Sequence, residues 1–161
     1  MIQVSDPGSV GRVRTSLVLC LALAACDSGG APAVDALIPA DYATAFAEVR
    51  ACRQSIDHSP HVRVLANAVA AGPYVRRDVR FPVGSVVVKE EYDDSACTKV
   101  TSLTAMRREA PGYDAEAGDW HWQRVRPDLS IVDDGKVTGC RSCHVRCNPG
   151  DHGFDFTCAE P

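Results

Sequence analysis

Residues 140–144 read Cys-Arg-Ser-Cys-His, and in this stretch residue type and spacing together can do chemistry. C-x-x-C-H is the attachment sequence for c-type haem. Two thiols add to the two vinyl groups on one edge of a porphyrin, and two intervening residues let one helical turn present both sulfurs there. His144, next in line, directs its imidazole at the iron. On this reading Cys140 and Cys143 hold one covalent haem c, and His144 is the axial ligand of its iron. Two other readings stand beside it. Cys140, Cys143, Cys147 and Cys158 could close an all-thiolate zinc site, or the four could form structural disulfides in a haem-free protein. Both leave His144 without a task. A thioredoxin-like redox pair lacks the βαβ surroundings such motifs have.

The other cysteines follow from export. Arg12 and Arg14 precede an apolar run, Leu17 to Ala25, that ends Leu23-Ala24-Ala25-Cys26. A charged stretch, a short apolar core and small residues before a cleavage point mark residues 1–25 as a signal peptide. The run is far shorter than the roughly 20 residues a transmembrane helix needs. Leu-Ala-Ala-Cys resembles the lipobox of bacterial lipoproteins, whose cysteine is acylated and becomes the N-terminus. Cys26 is then a lipid anchor holding the protein at the periplasmic face of a membrane; a plain secretory peptide cleaved nearby is the other reading. Export also suits haem attachment of this kind and permits disulfides. Cys20 leaves with the leader. If haem takes Cys140 and Cys143, the turn-rich segment Asn148 to Gly153 brings Cys147 and Cys158 together. Cys52 and Cys97 then pair by elimination.

The elements that must position this chemistry are legible in outline. The 161-residue chain is 45% hydrophobic and 24% charged, an ordinary soluble composition, and its formal net charge of −4 argues against a nucleic-acid partner. Residues 26–40 read as a tether and 41–161 as one haem domain. Asp41 is placed to cap a helix reaching about Gln54, with Phe46, Val49 and Cys52 along one face. His61–Ala66 alternates as a short strand, and Asn67–Ala71 makes one or two helical turns before Gly72-Pro73. The valine run makes Phe81–Tyr92 the clearest strand. Asp93-Asp94-Ser95 turns the chain, and Lys99–Arg108 returns as a strand. In Trp120–Val125 the alternation puts Trp120 and Trp122 on one face. Asp133-Asp134-Gly135 is a turn signal, with Lys136–Thr138 as a last short strand. The expected class is α+β: an antiparallel β-sheet of four to five strands, an N-terminal helix and a C-terminal haem-binding helix.

An electron-relay haem needs a second strong axial ligand. Of two methionines, only Met106 lies beyond the leader, and it precedes the haem motif. His58, His61, His121 and His152 are the other candidates, each more at home on a surface or a strand. The expectation is one protein ligand and an open sixth position, which favours small-ligand binding over plain electron transfer.

Several segments then gain meaning together: Phe81-Pro82-Val83-Gly84-Ser85 before Val88-Lys89-Glu90, Gly118-Asp119-Trp120-His121-Trp122, Asp134-Gly135-Lys136, and Cys140-Arg141-Ser142-Cys143-His144 near the C-terminus. From His61 to His144 the sequence resembles the cytochrome P-460 family, which includes the c-prime-beta cytochromes. The resemblance implies a mainly antiparallel β fold, a homodimer, and one five-coordinate c haem with His144 proximal. It also implies chemistry on small nitrogen species, by oxidation of hydroxylamine or by binding of nitric oxide, with a redox partner protein where electrons move. In P-460 proper a lysine is linked covalently to the haem edge, and it matches Lys89; the other reading of Lys89 is a solvated residue at a strand end. The active enzymes carry a distal carboxylate on the strand matching Val100–Met106. That strand has no Asp or Glu here, and Glu109 comes too late. The expected distal wall is apolar, lined by Phe81 or Met106, which admits neutral diatomics and gives little help to proton transfer.

Overall fold

The run Val86-Val87-Val88 carries three β-branched side chains, stiff at χ1 and suited to a pleated surface, and the molecule is built around it. The computed structural model describes Met1, residues 34–147 and residues 153–158. Among these, six strands form one antiparallel sheet in chain order. They are β1 (Ala47–Gln54), β2 (His61–Ala66), β3 (Val86–Tyr92), β4 (Val100–Arg108), β5 (Trp120–Val125) and β6 (Ile131–Gly135). Three helices accompany them: α1 (Tyr42–Ala45), α2 (Ala68–Arg76) and α3 (Thr138–His144).

The sheet thus has one strand more than the sequence reading allowed, and the difference lies at its ends. The helix expected from Asp41 to Gln54 is a single turn. Phe46 turns extended, with φ −96° and ψ 145°, and the rest is the edge strand β1. The register against β2 slips between Glu48 and Arg50 and again between Arg50 and Arg53. Phe46 packs with Val86 and Val88 on one side of the sheet and Val49 with Val64 on the other, so the spacing of three that imitates a helical stripe is a strand alternating between two cores. At the other end, Asp133 and Asp134 are paired within β6, so the last strand precedes the place given to it, and Thr138 already opens α3. Gly72-Pro73 does not stop α2 either. Pro73 is buried inside the helix, which ends at Arg77 in the left-handed region. Phe81–Ser85 lies outside the sheet as an irregular lead into β3.

Both faces of the sheet are covered, so each strand sorts its side chains two ways. One face carries Val64, Ala66, Val87, Met106, Trp120 and Trp122, under α2 (Ala70, Tyr74) and Phe81. The other carries Val86, Val88, Leu103, Ala105 and Val125. It is closed by Leu37 and Ile38, each 3% exposed, so residues given to the tether belong to the packed domain. Leu37 N donates to Gln123 Oε1 at 2.8 Å, and Gln123 Nε2 donates to the Asp35 carbonyl at 2.7 Å. Burying Val88 or Leu103 stabilises by about 1.5–3 kcal/mol each. Residues 2–33, with Cys26, and residues 148–152, with His152, lie outside the described residues.

Among the described residues two disulfides are formed, Cys52–Cys97 and Cys147–Cys158. The first ties edge strand β1 to the β3–β4 turn across a sequence separation of 45. Closing such a loop lowers the entropy of the unfolded chain by about 4 kcal/mol. Cys52→Ala with Cys97→Ala should therefore lower the unfolding free energy by up to about that amount, read from urea denaturation. An unchanged midpoint would mean that the sheet edge holds without the bridge.

Candidate functional site

Cys140 and Cys143 lie three apart on α3 and so share one side of the helix. They are the two free cysteines among the described residues. Cys140 is half-buried against the face that carries Trp122, and Cys143 is exposed. The helix is fixed from within the motif. Arg141 Nη2 donates to Asp114 Oδ1 at 2.9 Å, and Arg141 Nε lies 2.7 Å from Asp114 Oδ2. Asp114 is 7% exposed, and its own N–H donates to Asp119 Oδ1 at 2.9 Å.

His144 packs edge-on against Trp122, with ring centroids 4.6 Å apart. Its Nδ1 donates to the Phe156 carbonyl at 2.7 Å. Burial lowers the imidazole pKa to about 4, overriding the opposing effect of that hydrogen bond. The ring is therefore neutral at pH 7, with the proton on Nδ1 and the lone pair on Nε2. This is the tautomer that binds iron through Nε2, with the outer nitrogen held by a carbonyl.

Lys89 stands on the same sheet face. It pairs with Val64 on β2 and Thr104 on β4, so it shares a side with Val87 and Met106, a point the valine run left open. It is partly buried, and burial pulls its amine down to about 8 against the charges of Glu91 and Asp57. Cys140 lies close enough to act on the same amine.

Two residues further on, Glu91 takes this face too and is 9% exposed. It accepts from His58 Nδ1 at 2.9 Å, from Ser59 Oγ at 3.4 Å and from Ser102 Oγ. Burial opposes its ionisation, yet the bonds from His58 and Ser102 hold its carboxyl below the usual range. The carboxylate sought on β4 is thus absent from β4 but present on the neighbouring strand, turned to the same face. Strand periodicity could have found it, since Glu91 follows Lys89 by two. The carbonyl that holds His144 belongs to the backbone and leaves no trace in side-chain pattern.

The other candidate iron ligands separate by face. His121 points to the opposite side, its ring nitrogens 3.2 Å from Glu109 Oε1 and 2.7 Å from Asp134 Oδ1. His61 alternates with Val62 and Val64 and falls on that opposite side as well. His58 is engaged by Glu91. Met106 and Phe81 both sit in the cluster with Trp122 and Cys140, though Phe81 packs chiefly on Trp120, centroids 5.3 Å apart.

These residues fit a covalent haem. Two reduced thiols at the right spacing and a neutral imidazole with a free Nε2 lie beside an apolar wall. They do not fit an all-thiolate zinc site, because the Cys147–Cys158 disulfide removes two of its four sulfurs.

The buried amine makes a sign-specific prediction. With a folded pKa near 8 against an ordinary 10.5, Lys89 costs the apoprotein stability below pH 8, by at most about 3 kcal/mol. The penalty fades from pH 8 to 10.5, as the unfolded chain also loses the proton. In apoprotein carrying Cys140→Ser and Cys143→Ser, Lys89→Met should raise the urea midpoint at pH 7, and the gain should shrink above pH 8. No gain at pH 7 would show that the amine reaches water.

No curated protein gives a significant match to this chain. The family model described as Cytochrome P460 matches residues 39–155, a span that takes in all six strands, Lys89, Glu91 and the haem motif, and the chain is therefore a member of the cytochrome P460 family, a haem cytochrome.

Proposed function

We propose that this protein is an exported monohaem c-type cytochrome that binds small neutral nitrogen ligands, nitric oxide above all. Cys140 and Cys143 hold the haem covalently, and His144 is the iron's protein ligand. When bound, the haem supplies an iron that takes up diatomic ligands and exchanges electrons. The chain's own residues supply the rest. The Phe156 carbonyl keeps the proton on His144 Nδ1, and Trp122 holds the imidazole edge-on. Val87, Met106 and Trp122 provide a wall that excludes water and tolerates uncharged ligands.

The observation that carries this reading is the state of His144: half-buried, neutral, and bonded through Nδ1 to a carbonyl at 2.7 Å. A structural histidine has no need of a bare Nε2 beside two free thiols. Among the described residues, His61 and His121 lie on the far face of the sheet and His58 is held by Glu91. That favours a five-coordinate iron over a relay with two strong ligands.

A second reading, oxidation of hydroxylamine, has an observation of its own. Glu91 is a buried, ionised carboxylate on the face of Lys89, and His58, 24% exposed, connects it to the surface. Losing N–H protons needs a base, and this pair is one. A cross-link from Lys89 to the haem edge belongs to this second reading. So do a redox partner protein and a second copy of the chain as homodimer partner. The compartment is the periplasmic face of a membrane, with Cys26 as the lipid anchor.

Protein made with a haem-attachment system should exceed its polypeptide mass by one haem that survives acid-acetone extraction. Its ferrous form should be largely high-spin and should take up carbon monoxide and nitric oxide. A mass equal to the bare polypeptide, or a low-spin spectrum indifferent to carbon monoxide, would overturn the first reading. A strongly red-shifted ferrous Soret band, lost in Lys89→Met, would mark the cross-link.

Cys26→Ser should release the protein from membranes into the soluble periplasmic fraction, or block its processing. Unchanged partition on fractionation would leave Cys26 without an anchoring role.

A further inference from the structure

The described residues after the haem helix contain a feature that the haem motif does not account for. Asp155 and Phe156 both occupy the left-handed region, with φ 45° and 69°, and neither is glycine. Such conformations persist only where surrounding contacts over-determine them, and they gather where a backbone group must be aimed. Here the contacts are many. Asp155 Oδ2 accepts from Phe81 N at 2.9 Å, and its Oδ1 accepts from Arg108 Nη1 at 3.3 Å. Its carbonyl accepts from Trp120 Nε1 at 3.1 Å. Phe156 N donates to the Cys147 carbonyl at 2.9 Å, and the Cys147–Cys158 disulfide closes the turn behind it. The Phe156 ring lies over Gly118, where a Cβ would come within 2.2 Å of it.

All of these contacts serve one geometric result, a carbonyl 2.7 Å from His144 Nδ1. Asp155 itself is 3% exposed, and its carboxylate is a buried charge answered by one guanidinium and one peptide N–H. A buried charge on a strained residue is costly if it only closes a turn. We propose that Asp155 is a positioning residue for the proximal ligand: by locking the 154–157 turn, it fixes the carbonyl that holds the His144 N–H and so sets how strongly the imidazole donates to the iron. This rests on His144 being the iron ligand.

The physical chain is short. A firm Nδ1–H···O bond gives the imidazole more imidazolate character and makes Nε2 a better donor. A stronger donor favours the ferric state and strengthens the iron–histidine bond. Loosening the turn weakens both. Asp155→Ala removes the acceptor for Phe81 N–H and the partner of Arg108. Asp155→Asn keeps an acceptor oxygen for Phe81, and asparagine tolerates the left-handed region.

The test uses the full chain loaded with haem and reads the ferrous iron–histidine stretching band by resonance Raman, together with the reduction potential. Asp155→Ala should move the band to lower frequency and the potential to more positive values, while Asp155→Asn stays near the parent protein. Should Asp155→Ala fail to accumulate, Arg108→Gln and Trp120→Phe each remove one restraint on the same turn and should give smaller shifts of the same sign. Band and potential unchanged in every haem-loaded variant would overturn the inference. Parent protein with no covalent haem, or with no iron–histidine band, would instead overturn the assignment of His144, so the two failures are distinct.

Discussion

The alternation of β3 between two buried faces is the constraint on which the rest of the structure depends. Val86, Val88 and Glu90 face one core, and Val87, Lys89 and Glu91 face the other. A slip of one residue against β2 or β4 would exchange the two sets. Valines alone would tolerate that exchange. The carboxylates would not. Glu90 accepts from Tyr42 Oη at 2.8 Å, from Arg63 Nε at 2.6 Å and from Tyr92 Oη at 2.5 Å. Glu91 has His58, Ser59 and Ser102 on the other side. Moving either one would leave a buried charge without its donors, which costs several kcal/mol. The polar groups thus specify the register, and the register puts Lys89 on the face that α3 covers.

From that register the site follows in steps. β5 presents Trp120 and Trp122 to the same face as Lys89, and β6 delivers the chain to α3 above them. Trp122 supports the His144 ring, and Trp120 holds the Asp155 carbonyl, so the two tryptophans act on opposite ends of one arrangement. The loop between β4 and β5 contributes twice, with Asp114 on Arg141 of the haem motif and Gly118 under Phe156. Helix α3 has seven residues and no side-chain cap, too short to persist alone. Its orientation comes from Arg141 and from packing, and attachment of a haem at Cys140 and Cys143 would add two covalent restraints.

What could be read from sequence divides along physical lines. Cys140, Cys143 and His144 stand out in the sequence because C-x-x-C-H is a local spacing, and the structure carries all three on α3. β2 and β5 were legible to the residue from their β-branched and aromatic side chains in loose alternation, although β5 is buried on both faces. β1 reads as a helix because Phe46 and Val49, three apart, serve opposite cores, and no local signal separates that spacing from a helical stripe. The face of Lys89 was hidden because its neighbours are equally apolar on both sides; only pairing with Val64 and Thr104 decides it. With two thiols set aside for haem, four cysteines still allow three pairings; the turn-rich stretch between Cys147 and Cys158 selects one, and Cys52 is left for Cys97. The aim of the Phe156 carbonyl depends on Phe81, Arg108 and Trp120, residues far away in the chain.

The sheet face beside His144 is divided, and the division bears on what the protein can do. Toward Trp120 it is apolar through Ala66, Val87, Met106 and Trp122; along the strands, toward the β1–β2 connection, it turns polar through Lys89, Glu91, Ser102 and His58. A neutral diatomic ligand needs only the first zone. Oxidation of an amine-like substrate needs the second as well, because each N–H bond broken releases a proton into a place with little water. Glu91 is the carboxylate on this face that could accept such a proton, from a ligand held near the Lys89 end. Lys89 stands between the zones with its amine lowered to about 8. Left as a free amine, it puts a positive charge at the boundary near neutral pH, which favours an ionised Glu91 and makes it a weaker base. On the proposed function, a lysine tied covalently to the haem would no longer hold that charge beside Glu91. On the proposed function, the balance between gas binding and oxidation would therefore turn on the state of this lysine.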